Sequence, residues 1–160
     1  MGNRKFRKIG VGGTFEIIHS GHIKLISTAL SLGNEVIFGI TSDDFASKYK
    51  NYKVKPLRVR VLNLKSIIHQ IDSEARYSIE ILDDPYGSAV NDNSMNAIVV
   101  SIETLLRAFE INEIRSQRKL KPLHLIVIPM IRNGYGEKIS VSLIKSLIAS
   151  KESSRSSKNI

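Results

Sequence analysis

Short apolar runs alternate with segments of helical periodicity along almost the whole of this chain, and few folds accommodate that order. Ile9 to Val11 ends in Gly12-Gly13 and reads as a first strand. Residues 21–32 then place Ile23, Ile26, Ala29 and Leu30 at helical spacing, with Gly33 as a stop. Residues 35–41 read as a second strand, and 43–49 as a short helix followed by a lysine-rich loop. Pro56 can open a helix that runs to about Ile71, with Val59, Leu62 and Ile67 expected to face inward. Tyr77, Ile79 and Ile81 alternate as in a strand, and residues 83–94 are dense in turn formers. A fourth strand is expected at 97–100, a helix from Glu103 to about Leu120, a buried fifth strand at 123–128 and a last helix at 139–149. Strand and helix in this order predict an α/β protein: a doubly wound parallel sheet of about five strands, with helices on both faces.

In such sheets ligands bind beyond the carboxyl ends of the strands, so the residues that follow each strand carry the functional information. After the first strand comes Gly-Gly-Thr-Phe-Glu-Ile-Ile-His-Ser-Gly-His, residues 12–22. Gly12 and Gly13 let the backbone approach a ligand closely, and Thr14 adds a hydroxyl at the turn. His19 and His22 are three residues apart at the start of a helix, on one face, beside backbone N–H groups that the helix leaves without partners. Such a helix start favours a phosphate, whose oxygens two imidazoles can meet. A bare pair of histidines at this spacing is more often a solvated helix start. A metal site would want a third ligand, and His69 and His124 do not converge with this pair in sequence. A second stretch, Ile139-Ser140-Val141-Ser142-Leu143-Ile144-Lys145, puts hydroxyls and free N–H groups at another helix start, with Lys145 one turn beyond Ser142.

Composition narrows the function class. The 160 residues include no cysteine, which excludes disulfides, thiolate metal sites and cysteine nucleophiles. No apolar run approaches the roughly 20 residues of a membrane span, and no long apolar stretch follows Arg4, Lys5, Arg7 and Lys8, so no secretory signal is expected. These features agree with a cytoplasmic location. The net charge of +9 suggests an anionic partner. Much of that charge lies at the ends, in Arg4, Lys5, Arg7 and Lys8 and in Lys151, Arg155 and Lys158. The mildly basic middle suits a phosphorylated metabolite at least as well as a nucleic acid. Residues 1–150 are expected to form one domain, and 151–160, rich in serine and charge, a disordered tail.

The first string resembles the GGTFDxxHxGH signature of the nucleotidyltransferase superfamily, with Glu16 where aspartate is usual. The second resembles its ISSTxxR or ISSSLxK signature, with Val141 in place of a serine and Lys145 in place of arginine. Lysine keeps the charge but loses the bidentate fork. Three further stretches, 83–94, 97–108 and 112–129, are similar to the archaeal and eukaryotic type of phosphopantetheine adenylyltransferase. That type has a DPxG loop, a VVSxET strand end and an NxxRxxxGLKPL approach to the last strand, in which Lys119 here stands for the usual glycine.

The resemblance implies a Rossmann-like fold and transfer of the adenylyl group of ATP to 4′-phosphopantetheine, giving dephospho-coenzyme A and pyrophosphate on the route to coenzyme A. It implies that ATP meets Gly13, Thr14, Phe15, His19, His22, Ser101, Glu103, Thr104, Ser140, Val141, Ser142 and Lys145. Thr14, His22 and Lys145 would be catalytic. The acceptor would meet Thr14, Asp84, Tyr86 and one lysine of Lys48, Lys50, Lys53 and Lys55, of which Lys48 comes first. Mg²⁺ is expected to ride on the nucleotide, with no dedicated metal ligands, and coenzyme A or dephospho-coenzyme A to bind as product-like ligands. The alternatives are a related enzyme acting on nicotinamide mononucleotide, a flavin phosphate or glycerol phosphate, and a non-catalytic nucleotide- or RNA-binding module. The pattern selects no oligomeric state.

Overall fold

A computed structural model describes residues 3–50 and 52–129. The expected helix at 139–149, the second motif and the tail lie outside the described residues.

The described chain forms β1 (Phe6–Gly13), α1 (Ser20–Leu32), β2 (Gly33–Thr41), α2 (Asp43–Tyr49), α3 (Leu57–Ile71), β3 (Tyr77–Leu82), β4 (Ala97–Ser101), α4 (Ile102–Gln117) and β5 (His124–Ile128). All strand pairs are parallel, in the order β3-β2-β1-β4-β5. The chain therefore winds outward from β1 to β3 and then returns to place β4 on the other side of β1. The crevice opened by that reversal, above the carboxyl ends of β1 and β4, is the expected ligand position in this architecture.

Alternation along the strands feeds two cores. Ile9, Val11, Val36, Phe38, Ala97 and Val99 point to one face, where α1 covers them with Leu25, Ile26 and Ala29, and α3 with Leu64 and Ile68. Ile98 and Val100 point to the other face, against Leu105, Ala108 and Ile111 of α4. Helices on both faces satisfy the expectation of a doubly wound sheet.

Two local expectations fail. In α3, Leu62 is 57 % exposed and Val59 39 %, while the buried stripe is Arg60, Leu64 and Ile68; Ile67 is partly buried. Apolar residues surround this helix, so hydropathy could not set its phase, and the first member of the true stripe is an arginine. In β5 only Ile128 is buried, and His124 and Val127 are exposed, because β5 is an edge strand among the described residues.

Two positive charges near the start of the sequence, Arg4 and Lys8, are structural. Arg4 donates to the carbonyls of Leu30 and Gly33 at the end of α1 and pairs with Asp72 at 3.3 Å. This supplies the C-terminal charge that α1 lacks in its own last turn. Lys8 Nζ lies 2.7 Å from Asp92 and donates to Ser94 Oγ at 3.2 Å. Burial alone would raise the Asp92 carboxyl, but Lys8 and the Ser94 hydroxyl and amide outweigh it and hold the group down at about 2. Deeper in, Asn112 brackets Leu123, accepting its N–H at 2.7 Å and donating to its carbonyl at 3.0 Å. The buried Arg115 donates to the carbonyls of Lys121, Ala89 and Asp92. The Asn-x-x-Arg stretch thus ties α4 both to the entry of β5 and to the loop before β4.

Candidate functional site

A cavity of about 550 Å³ opens at the carboxyl ends of β1, β2 and β4. Its floor on β1 and β2 includes Gly10, Gly12 and Gly39, so the sheet surface there carries few side chains. The first motif, the start of α4 and the loop after β3 form its walls.

The turn after β1 is shaped by Phe15. This residue takes φ of +51° and is only 1 % exposed, and its ring passes beneath Gly13. A Cβ on Gly13 would lie 3.1 Å from that ring and would press against it. A bulky residue with positive φ is strained, and such strain concentrates at functional turns. Phe15 also lies 5.6 Å, centre to centre, from the His22 ring, so it supports the motif from below.

His19 is the N-cap of α1. Its Nδ1 accepts the Gly21 N–H at 3.1 Å, while the His19 N–H donates to His22 Nδ1 at 3.3 Å. The imidazoles therefore take up helix-start groups, including the Gly21 N–H, that had been expected to remain open to a ligand. An imidazole whose Nδ1 accepts carries its proton on Nε2, where it is available to an external acceptor. The ring centres are 3.9 Å apart. The His22 pKa is lowered from the usual 6.5, first by burial and then by the neighbouring His19; Glu103 and a hydrogen bond to the Ile17 backbone oppose this. A neutral His22 hydrogen-bond donor near pH 7 follows.

Thr14 receives the Thr41 hydroxyl on its Oγ1 at 3.2 Å. Beneath both sits Arg60, fully buried. Its guanidinium donates to the carbonyls of Thr14 (3.0 Å), Thr41 (2.8 Å) and Lys55 (2.8 Å) and to Asp43 Oδ1 (2.8 Å). The Asp43 carboxyl is held below its usual value, chiefly by the hydrogen bond from Arg60. One buried cation thereby joins the ends of β1 and β2 to α2 and to the approach to α3. Glu16 fastens the same loop from above, accepting the Lys55 N–H at 3.2 Å and the Tyr52 hydroxyl, whose pKa it raises.

On the opposite wall, Ser101 ends β4 and caps α4, and its N–H donates to Thr104 Oγ1 at 3.2 Å. Ser101, Glu103 and Thr104 all line the cavity, with Arg107 one turn further on. Arg107 lies over the Tyr86 ring at 5.6 Å and pairs with Glu110, which also accepts the Tyr86 hydroxyl. In the loop after β3, Asp84 Oδ1 accepts the N–H groups of Tyr86 and Gly87, each at 2.7 Å, as a turn former does.

Of the residues singled out in the sequence, Gly13, Thr14, Phe15, His19, His22, Tyr86, Ser101, Glu103 and Thr104 meet around this cavity. Asp84 and Lys48 do not line it; Lys48 is exposed in the last turn of α2, and Lys50 lines the cavity instead. Ser140, Val141, Ser142 and Lys145 lie outside the described residues. Arg60, Thr41 and Arg107 were missed. Only Arg60 left a trace in the sequence, as a charge at i, i+4, i+8 spacing with Leu64 and Ile68.

Comparison with known proteins agrees with this geometry. Residues 11–147 match the cytidylyltransferase-like family model. A phosphopantetheine adenylyltransferase of Pyrobaculum aerophilum is 44 % identical over 152 residues, covering 95 % of this chain and 98 % of the relative. That of Methanopyrus kandleri is 42 % identical over 141 residues, 88 % of this chain and 90 % of the relative. Among solved structures, a protein of unknown function from Archaeoglobus fulgidus superposes with a TM-score of 0.72 at 29 % identity, covering 82 % of this chain and 96 % of that one. A pantoate-beta-alanine ligase from Francisella tularensis shares the fold alone, with a TM-score of 0.52 at 18 % identity over 84 % of this chain and 63 % of that one. The chain belongs to the cytidylyltransferase-like family, and within it to the archaeal type of phosphopantetheine adenylyltransferase.

Proposed function

We propose that this chain joins ATP and 4′-phosphopantetheine to give dephospho-coenzyme A and pyrophosphate, as a cytoplasmic enzyme of coenzyme A synthesis. The observation that carries the reading is the gathering of Thr14, His19, His22 and Ser101 around one cavity at the β1/β4 reversal. The overall likeness to adenylyltransferases of that name supports it.

A phosphate oxygen of the acceptor attacks the α-phosphorus of ATP in line. The new P–O bond forms as the bond to the β-phosphate bridging oxygen breaks, and pyrophosphate leaves with that electron pair. The nucleophile is already an anion near neutral pH, so no general base is needed. Rate enhancement comes from positioning and from donors aimed at the oxygens on which charge builds. Thr14 Oγ1 and His22 Nε2 are those donors at the α-phosphate, and His19 Nε2 holds ATP at the start of α1. Ser101, Glu103 and Thr104 border the adenosine, while Ser140, Ser142 and Lys145 hold the leaving pyrophosphate. The acceptor lies along Tyr86 and the loop after β3, with its phosphate toward Lys50, the loop lysine that lines the cavity.

Among the described residues no three histidine, aspartate or glutamate side chains gather around a point that could hold a metal. Mg²⁺ would enter with ATP and would offset charge on the nucleotide phosphates. No described helix is long and apolar enough to cross a membrane.

The test is pyrophosphate release from ATP with 4′-phosphopantetheine, nicotinamide mononucleotide or glycerol phosphate as acceptor. Release with phosphopantetheine at a kcat/KM at least about a hundredfold above the others is expected, a margin of about 2.7 kcal/mol in transition-state binding. Preference for another acceptor would overturn the substrate assignment. The His22→Ala variant should lose about 10²–10³ in kcat with its circular dichroism unchanged; normal turnover would remove His22 from the mechanism.

A further inference from the structure

Thr14 is an effective phosphate donor only if its hydroxyl proton points into the cavity, and a free threonine hydroxyl rotates. The surroundings of Thr14 settle that rotation. Arg60 carries a positive charge and no acceptor, and the terminal nitrogen whose two protons go to the carbonyls of Thr14 and Thr41 also lies 3.5 Å from Thr41 Oγ1, a contact of charge rather than a full hydrogen bond. The Thr41 hydroxyl therefore turns a lone pair toward the cation and its proton away, to Thr14 Oγ1 at 3.2 Å. With that oxygen already accepting a proton, the Thr14 O–H is left to donate outward. The same guanidinium fixes the backbone beneath both threonines through their carbonyls.

We propose that Arg60 and Thr41 are positioning residues for adenylyl transfer: they form a one-way chain, from the Arg60 charge to the Thr41 hydroxyl and by its hydrogen bond to Thr14, that orders Thr14 as a donor to the α-phosphate. Neither need touch the substrate. The idea rests on the role given to Thr14 above, and the experiment separates the two.

The experiment is a double-mutant cycle of Thr41→Val and Thr14→Val, with pyrophosphate release as the readout. Thr41→Val preserves shape and removes the hydroxyl. It should lower kcat about tenfold with KM for both substrates changed less than about twofold, because the lost contribution belongs to the transition state. Thr41→Ser should restore most of that loss, which a packing role for the threonine methyl would not allow. In the Thr14→Val background, Thr41→Val should change kcat by less than about twofold, since it acts only through Thr14. A Thr41→Val effect of equal size in both backgrounds would mean that Thr41, which also lines the cavity, meets the ligand directly, and would overturn the proposal. So would an unchanged kcat for Thr41→Val where Thr14→Val is impaired; the Thr14 role would survive that result. An unaffected Thr14→Val variant would refute the Thr14 role and the chain built on it. Arg60→Lys keeps the charge without the fork and should show the same kcat-selective loss. The Thr41 cycle decides the matter if that variant folds poorly.

Discussion

The turn that ends α4 offers a gain in stability from a single substitution. Lys119 takes φ of +60°, its N–H bonds the Ser116 carbonyl at 3.0 Å, and the Leu120 N–H reaches back to the Arg115 carbonyl at 2.8 Å. This is a complete Schellman motif with a lysine at the position that glycine normally fills. A left-handed backbone costs a residue with a Cβ roughly 1–2 kcal/mol. Lys119→Gly relieves that strain but gives the unfolded chain more freedom, worth about 0.4–1 kcal/mol in the opposite direction. The Lys119 side chain is exposed and lines no part of the cavity, so little else is lost. The balance is a stabilisation of about 0.5–1 kcal/mol, or a rise in Tm of about 1–4 °C for a chain of this size. Urea unfolding followed by circular dichroism measures it, and Lys119→Ala is the control. Alanine removes the charge and long side chain but keeps the Cβ, so it should not stabilise. If glycine brought no gain, or alanine an equal one, the strain argument would be wrong. kcat should be the same in all three proteins.

Three other outcomes are expected. Asp92, held at about 2 against 3.8 in its unfolded reference, contributes stability that is full above pH 4 and is lost as pH falls toward 2; Asp92→Asn should flatten acid unfolding monitored between pH 5 and pH 2. Gly87→Ala places a Cβ 2.4 Å from Leu82 Cδ2 at φ of +56°, and should cost about 2 kcal/mol or more in urea unfolding. In NMR titrations His22 should titrate below 6.5, move up in His19→Asn and move further down in Glu103→Gln, because His19 lowers and Glu103 raises its pKa; the opposite order would refute the arrangement of these groups.

How legible each element was depended on whether its cause is local. The strands of the central sheet are dense in Ile and Val, and Gly, Pro, Asn and Asp mark the turns between them, so those elements could be placed from sequence alone. The motif at 12–22 was legible because a phosphate site at a strand–helix turn demands particular residue types at fixed spacing. Helix α3 was not, because apolar residues surround it and its phase is set by the carbonyls that Arg60 must satisfy. The resemblance sets Asp84 against the acceptor, whereas in the fold its Oδ1 accepts two N–H groups of its own turn and the residue does not line the cavity. Asn112 and Arg115 carried a family resemblance but no evident role until the fold brought Leu123, Ala89 and Asp92 to them.

The amino-acid order by itself determined the winding of the chain, the glycines that clear the sheet surface and the identity of the groups that follow β1. These depend on backbone freedom and on contacts within a few residues. Which lysine of the 48–55 loop lines the cavity, how Thr14 is held and why His22 is neutral were decided only in three dimensions. Thr14 is held by groups 27 and 46 positions away, Thr41 and Arg60, and His22 is kept neutral first by burial and only then by its neighbour His19. Burial and hydrogen bonding between distant segments set those properties, and neither leaves a periodic signal along the chain.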